Sequence, residues 1–321
     1  MTRVRPVFEG DTIHIQRRAR EGRHFLVPHR ETLQLVRYAY AVAAERCGLI
    51  LHAVCVMSTH THVIATDPEG RHPEFTHYAH RLIALGLKRF HGIDGTVFTQ
   101  GGASVQRLVG RDAIIEALAY LRMNPVAAGL VAHDGAYPGV FGVEEKAPLK
   151  VYEERIARPS CFAGRTTLPE AARFVLRPAE RLLDELGPKR AAERIARAIR
   201  RHRENAKAKR KRDELAIVGM KEVLATDVWR RAPKPKRAPF RPTFKGVLAD
   251  ALRQASDSLR RFRRAYAEAL ATFRDGDTSV CFPAGTYKMR LMGCKVAKLG
   301  PALAQGRVVD GGMLPVAAAR G

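Results

Sequence analysis

Acidic residues are scarce in this sequence. The 321 residues include 32 Asp and Glu against 56 Lys and Arg, which gives a formal net charge of +24 and a sequence pI near 10.5. An excess of this size favours a polyanionic partner. Residues 1 to 150 carry 18 basic and 14 acidic side chains, whereas the remaining residues carry 38 and 18. Since most of the excess lies in the second half, the two halves are predicted to do different jobs.

Cysteine and long apolar runs are also scarce. The sequence has five cysteines and no CxxC spacing, which excludes a disulfide framework and a zinc ribbon and indicates a reducing cytoplasm. The first residues, MTRVRPVFEGD, lack the apolar segment of a signal peptide, and no run of eighteen apolar residues occurs. We therefore expect a cytoplasmic protein with no membrane partner.

The stretch from Leu51 to Asp67, LHAVCVMSTHTHVIATD, predicts a β-hairpin. Two short runs of β-forming residues flank the turn-tolerant pair Ser58-Thr59. Side chains alternate along a strand, so His60 and His62 are predicted to face the same way. Two such imidazoles form half of a metal site. A His-x-His pair alone is nevertheless more often structural than metal-binding.

A predicted helix over Arg111 to Met123 carries a second candidate set of residues. It leads into the segment Tyr120 to Leu130, YLRMNPVAAGL. Tyr120 and Asn124 are four residues apart and share a face if the helix continues that far. Pro125 leaves a second interpretation open, in which Asn124 caps a short new helix.

The order of predicted elements in the first half is strand, helix, strand, strand, helix, strand, helix. This order predicts an α+β fold with a ferredoxin-like antiparallel sheet and one extra helix. The predicted elements are a strand at Thr12 to Gln16, a helix from Pro28 to Cys47, the hairpin, a helix from His72 to His91, a strand or hairpin within Val97 to Val109, and the last helix.

The His60-Thr61-His62 triplet and the Tyr120 to Leu130 segment together resemble the REP-associated tyrosine transposases, which belong to the HUH single-tyrosine transposases. The resemblance covers roughly residues 10 to 145 and implies an HUH-type catalytic domain that cuts and rejoins single-stranded DNA. It implies that His60, His62 and Asn124 hold Mg²⁺ or Mn²⁺ and that Tyr120 is the nucleophile. Thr61, where the family usually has a hydrophobic residue, and Ser58-Thr59, where proline and asparagine are usual, leave open whether this copy is active.

The resemblance also implies a partner and a place in the cell. The expected partner is single-stranded or hairpin DNA, the expected location is cytoplasmic and associated with the nucleoid, and the oligomeric state stays open between monomer and homodimer. A phenol with a pKa near ~10 needs a cation or metal to ionise, and the sequence offers His77, His80, Arg81 and Arg122. The residues expected to contact DNA are Arg17, Arg18, Arg20, Arg23, Arg107 and Arg122.

The second half is predicted to be a mainly α-helical basic region that assists DNA binding. Helices are expected over Leu168 to Leu186, Lys189 to Leu215 and Val247 to Phe273, with a strand toward the end of Val280 to Met292 and a frayed tail from Leu299 to Gly321. The basic cluster Lys207 to Arg212 is typical of a nucleic-acid arm. The predicted regions are a catalytic domain at 1–148, a basic helical region at 149–229, a proline-rich basic linker at 230–242 and a helical C-terminal region at 243–321.

The same residues bear on other classes of function. A histidine-triad nucleotide hydrolase would want histidine at position 64, where the sequence has Ile64. A zinc fold fails because no cysteine partners lie near the histidines. Two alternatives stay open beside the transposase: a catalytically inactive DNA-hairpin-binding protein, and a nickase of the replication-initiator or relaxase type.

Overall fold

The computed structural model describes residues 4–233 and 243–298. Its first half follows the predicted order of elements. The elements are β1 (Asp11–Arg18), α1 (Arg30–Cys47), β2 (Ile50–Met57), β3 (His60–Asp67), α2 (His72–His91), β4 (Ser104–Leu108) and α3 (Arg111–Ala127). Gly48 and Gly92 end α1 and α2 in the left-handed conformation, at φ 69° and 60°, which glycine adopts without steric cost.

The later elements include more β structure than the sequence suggested. They are β5 (Val140–Phe141), β6 (Tyr152–Ala157), β7 (Ala171–Leu176), α4 (Glu180–Leu186), α5 (Pro188–Arg212), α6 (Met220–Leu224), β8 (Phe244–Lys245), α7 (Ala249–Arg274) and α8 (Tyr287–Leu291). No helix within the described residues is both long enough and apolar enough to span a membrane.

The main sheet has six strands in the order β5-β2-β3-β1-β4-β8. All neighbouring pairs are antiparallel except β4 and β8, which run parallel. The prediction of a purely antiparallel sheet is therefore wrong at this edge, where a strand from the second half of the chain adds to β4. Local periodicity does not reveal a partner that lies more than 130 residues away.

The sheet separates two hydrophobic cores. On one face, Ile13, Ile15 and Val63 pack under α1 and α2. On the other face, Cys55 and Ile64 pack under α3, which α5 covers from outside. Because successive side chains of a strand point to opposite faces, the strand residues His60 and His62 belong to the α3 face, together with Ile64.

The helix predicted over Leu168 to Leu186 is wrong for its first half. Residues Ala171–Leu176 form β7, which pairs with β6 as an antiparallel hairpin. Ala172, Phe174 and Leu176 are buried and their neighbours are not, which is the two-residue period of a strand. Pro169 and Pro178 bracket this segment, and proline does not continue a helix across either end. The hairpin packs on α1 and extends the first core beyond residue 148.

Three further predictions from the second half have different outcomes. The helices at α5 and α7 are confirmed. The strand expected at the end of Val280 to Met292 is wrong: α8 forms there, after a turn in which the Thr286 hydroxyl donates to the carbonyl of Pro283. Most of the predicted 230–242 linker and the whole predicted tail from Leu299 to Gly321 lie outside the described residues. The predicted domain boundaries stay predictions.

Candidate active site

His60 and His62 lie side by side on β3, as the alternation along the strand predicts. Their ring centroids are 4.7 Å apart. The turn at Ser58 and Thr59 fixes the first of them, because the Thr59 hydroxyl lies 2.9 Å from Nδ1 of His60. Nε2 of His60 makes no hydrogen bond to any described residue, so this nitrogen is available to a ligand.

His14 completes a group of three imidazoles and was not among the site residues predicted from the sequence. It lies on β1, which pairs with β3 and places Gln16 opposite His62. Nε2 of His14 is 2.9 Å from Nδ1 of His62, and the two rings stack at 5.0 Å. The only local signal was a polar residue within the apolar alternation of β1, and that signal does not identify the partner strand.

Asn124 faces His62 because α3 continues through Pro125 to Ala127. The interpretation in which Asn124 caps a new helix is therefore wrong. Asn124 is buried, and its Nδ2 lies 3.0 Å from Nε2 of His62. A half-turn of the amide exchanges its nitrogen for its oxygen at the same place, so Asn124 offers either a donor or an acceptor to His62.

Tyr120 lies one helical turn before Asn124 and covers the histidines. Its ring centroid is 5.9 Å from that of His62 and 6.3 Å from that of His14. Tyr120 is nevertheless 37% exposed, so part of the residue is open to a substrate. Burial raises the pKa of Tyr120, and Cys55 acts in the same direction, whereas the charge of Arg18 and the Asn124 amide lower it.

All three imidazoles are neutral near pH 7. Burial lowers the pKa of His14 to about 4 and that of His60 to about 3. Burial and the neighbouring histidines lower the pKa of His62 well below its ordinary value. A neutral imidazole keeps a lone pair for a metal ion or for a hydrogen-bond donor.

The donor set fits a divalent ion that takes its remaining ligands from substrate or water. Within the described ranges, no cluster of three or more His, Cys, Asp or Glu side chains is arranged to hold a metal ion. The residues that would hold such an ion are His60 and His62 through their imidazoles and Asn124 through its amide oxygen.

Lys245 is a second site residue that was not predicted from the sequence. It lies on β8, and its Nζ is 4.8 Å from the centroid of the Tyr120 ring. Burial lowers the pKa of Lys245, and the charge of Glu116 acts against that change. No sequence signal connects position 245 to position 120, because the connection depends on β8 joining the edge of the sheet.

The six arginines predicted to contact DNA do not lie together. Arg18 is exposed and stands opposite His60 in the strand register, on the face of Tyr120. Arg17 and Arg107 lie elsewhere on the sheet and contact other residues. Arg17 stacks on Phe98 at 5.0 Å, and Arg107 pairs with Asp11 at 2.6 Å. Among these three arginines, Arg18 is the one whose charge acts on Tyr120.

The other three arginines hold parts of the protein together. Arg122 pairs with Asp134 at 2.7 Å. Arg20 and Arg23 lie in a turn after β1, where Arg20 stacks on Phe25 and Arg23 donates to the backbone carbonyl of Trp229. Of the side chains offered to ionise Tyr120, His77, His80 and Arg81 belong to α2 on the other face of the sheet. The cations beside Tyr120 are Arg18 and Lys245 instead.

Several arginines of the basic helix α5 pair with acidic residues of the first half of the chain. Arg194 pairs with Asp112, Arg201 with Glu116, and Arg203 with Asp134 and Glu145. Near the last turns of α5, Lys207, Lys209 and Lys211 are exposed. Exposed basic side chains therefore lie at both ends of α5, with Lys189 and Arg190 at its start.

The likeness of this chain to known proteins is weak. A search of solved structures finds similarity to a REP-associated tyrosine transposase bound to a REP hairpin, with 20% sequence identity and a TM-score of 0.37, over 44% of this chain and 82% of that chain. No protein-family model matches the sequence. No curated protein matches it either. A likeness this slight does not assign the chain to a family.

Proposed function

We propose that this protein cuts and rejoins single-stranded DNA at hairpin sites through a covalent 5′-phosphotyrosine intermediate, as a DNA transposase. The observation that carries the proposal is the position of Tyr120, a partly exposed phenol that covers the neutral pair His60 and His62. In this proposal residues 1–148 form a ferredoxin-like, HUH-type catalytic domain, and the exposed basic end of α5 contacts DNA phosphates.

The proposed reaction exchanges one phosphodiester bond for another. The Tyr120 oxygen forms a bond to phosphorus while the bond from phosphorus to the 3′-oxygen breaks. The phenol gives up its proton and the leaving 3′-oxygen gains one, which yields a 5′-phosphotyrosine and a free 3′-hydroxyl. The intermediate conserves the bond energy, so a second 3′-hydroxyl rejoins the strand by the reverse reaction.

The residues around Tyr120 divide the remaining tasks. A divalent ion bound by His60, His62 and Asn124 would polarise the scissile phosphate. His14 orients the His62 ring through their shared hydrogen bond. Arg18 favours the ionised phenol and offsets part of the effect of burial on the pKa of Tyr120.

A cleavage assay tests this proposal. The substrate is an end-labelled DNA hairpin with a single-stranded flank, incubated with Mn²⁺ or Mg²⁺ and separated on a denaturing gel. The wild-type protein should give a protein-linked product that Tyr120→Phe does not give. Tyr78→Phe, which alters a tyrosine of α2 on the other face of the sheet, should react like wild type. A linked product that persists in Tyr120→Phe would refute the assigned nucleophile.

One observation favours a second function, that of an inactive hairpin-binding protein. Both ring nitrogens of His62 are within hydrogen-bond distance of protein atoms, His14 on one side and Asn124 on the other. In that arrangement His62 serves the core rather than an ion. Hairpin binding without cleavage under all metal conditions would support this second function. Excision and joining of a flanked donor segment would separate a transposase from a simple nickase.

A further inference from the structure

Lys245 reaches Tyr120 because β8 extends the sheet. The amide of Arg107 donates to the carbonyl of Thr243 at 3.0 Å, and the amide of Val109 donates to the carbonyl of Lys245 at 2.9 Å. The parallel register pairs Lys245 with Leu108, whose side chain is buried beneath α3. Lys245 therefore faces the same side of the sheet as Tyr120.

The ammonium group of Lys245 has no partner of opposite charge within the described residues. It makes no hydrogen bond or ion pair there, and its contact is with the face of the Tyr120 ring. Glu116, the carboxylate whose charge acts on Lys245, already pairs with Arg201 and His202. The lysine is only partly exposed. Holding a cation partly out of water costs free energy unless an anion lies beside it. This position therefore suits an anion that a bound ligand brings.

We propose that Lys245 binds the DNA phosphate that Tyr120 attacks. This inference rests on the proposed function, because the anion is the DNA phosphate that the proposed reaction brings next to Tyr120. The ammonium sits against the ring of the nucleophile, and its flexible four-carbon stem lets it follow a phosphate oxygen. The second half of the chain would then contribute a substrate-binding residue to the site and not only an accessory surface.

A purely structural role for Lys245 predicts different behaviour. If the lysine only packs on the Tyr120 ring, its replacement changes stability but leaves the salt dependence of DNA binding unchanged. If it binds a phosphate, replacement removes one counterion-releasing contact. The salt dependence of binding therefore separates the two roles.

The first measurement uses full-length Tyr120→Phe protein, which keeps the ring and is expected not to cleave. The probe is a fluorescent DNA hairpin with a single-stranded flank, and its dissociation constant is measured across a range of salt concentrations. Adding Lys245→Gln should make the slope of log K against log salt shallower by about 0.7. It should also weaken binding about tenfold at low salt. Lys245→Arg should restore the slope.

The control variant is Lys221→Gln, which removes an exposed lysine of α6. Its slope should match that of the parent protein. If Lys245→Gln lowers the melting temperature of the protein relative to this control, Lys245→Met replaces it, since methionine keeps much of the apolar stem. An unchanged slope in the folded variant would overturn the proposal.

A double-mutant cycle then identifies the phosphate. A neutral methylphosphonate is placed at each position of the single-stranded flank in turn. At the phosphate bound by Lys245, the methylphosphonate should weaken binding to the parent but cause little further loss in Lys245→Gln. Additive losses at every position would overturn the proposal. If the coupling is clear but the wild-type protein does not cleave the hairpin, only the proposed function is refuted. The failure of this inference and the failure of the proposed function are therefore distinguishable.

Discussion

Nε2 of His14 lies 2.9 Å from Nδ1 of His62, so imidazoles on two neighbouring strands share one hydrogen bond beneath the Tyr120 ring. If the amide nitrogen of Asn124 donates to Nε2 of His62, Nδ1 of His62 carries the proton and donates to His14. In that arrangement His14 fixes both the orientation and the protonated nitrogen of the ring that we assign to the metal.

Replacing His14 should weaken the site without removing a ligand. We expect His14→Ala to lower metal affinity or the cleavage rate by roughly 10- to 100-fold, the cost of losing a residue that orients a metal ligand. The measurement is the cleavage rate of the labelled hairpin as a function of Mn²⁺ concentration. His77→Ala changes an exposed histidine on the other face of the sheet and should have no effect. Equal effects of the two variants would contradict the assigned role.

A bound metal ion should stabilise the folded protein. At a free ion concentration of about 100 times the dissociation constant, we expect a gain of about 2.7 kcal/mol in the free energy of unfolding. Mn²⁺ should act at lower concentration than Mg²⁺, because imidazole ligands favour transition metals. Thermal unfolding with each ion, and after chelation with EDTA, gives the measurement.

His60→Ala should remove most of this stabilisation while leaving hairpin binding nearly intact. The reason is that His60 offers a free Nε2 and a hydrogen bond to the Thr59 hydroxyl through Nδ1. Metal-dependent stabilisation that survives in His60→Ala would show that the ion binds elsewhere. A loss of hairpin binding would assign this histidine a role in folding.

Acid should destabilise the protein through its buried histidines. Burial lowers the pKa of His52 to about 4. Both ring nitrogens of His52 have hydrogen-bond partners: Nδ1 donates to the carbonyl of Arg177 at 2.8 Å, and Nε2 lies 2.8 Å from the Thr66 hydroxyl. Because the folded-state pKa lies below the unfolded value of 6.5, this stability is present above pH 6.5 and is lost as the pH falls toward 4.

The loss should be steep because several histidines behave alike. Burial also lowers the pKa of His14 to about 4 and of His60 and His80 to about 3. Each contributes at most about 1.4 kcal/mol per pH unit below pH 6.5. Urea unfolding at pH 7 and pH 5 measures the change in the free energy of unfolding. His52→Gln should reduce this change by the contribution of one histidine. A free energy of unfolding that increases as the pH falls from 7 to 5 would contradict this assignment.

The β6–β7 hairpin should be part of the first core. Phe174 is fully buried and lies 5.9 Å from Phe141 and 6.0 Å from Tyr152, measured between ring centroids. We expect Phe174→Ala to cost about 3–5 kcal/mol in the free energy of unfolding. Val151→Ala, at a side chain that is 49% exposed, should change it by less than about 0.5 kcal/mol. Urea unfolding measures both, and a small effect at Phe174 would show that the hairpin folds apart from the first core.

The sequence alone determined the features that depend on neighbouring residues along the chain. The alternation around the Ser58-Thr59 turn predicted that His60 and His62 share a face, and the apolar spacing before Tyr120 predicted α3. These features follow from the two-residue period of a strand and the 3.6-residue period of a helix, which any stretch of sequence displays. The helix that the same periodicity predicted is wrong at Ala171–Leu176, which is a short strand between two prolines.

Only the tertiary structure decided which distant residues join this site. His14 reaches His62 because β1 pairs with β3, and Lys245 reaches Tyr120 because β8 pairs with β4. Backbone hydrogen bonds between strands use groups that every residue except proline carries, so the side-chain pattern of one strand does not name its partner. The position of Asn124 was also settled by packing, since α3 continues through a proline that local rules favour as a helix boundary.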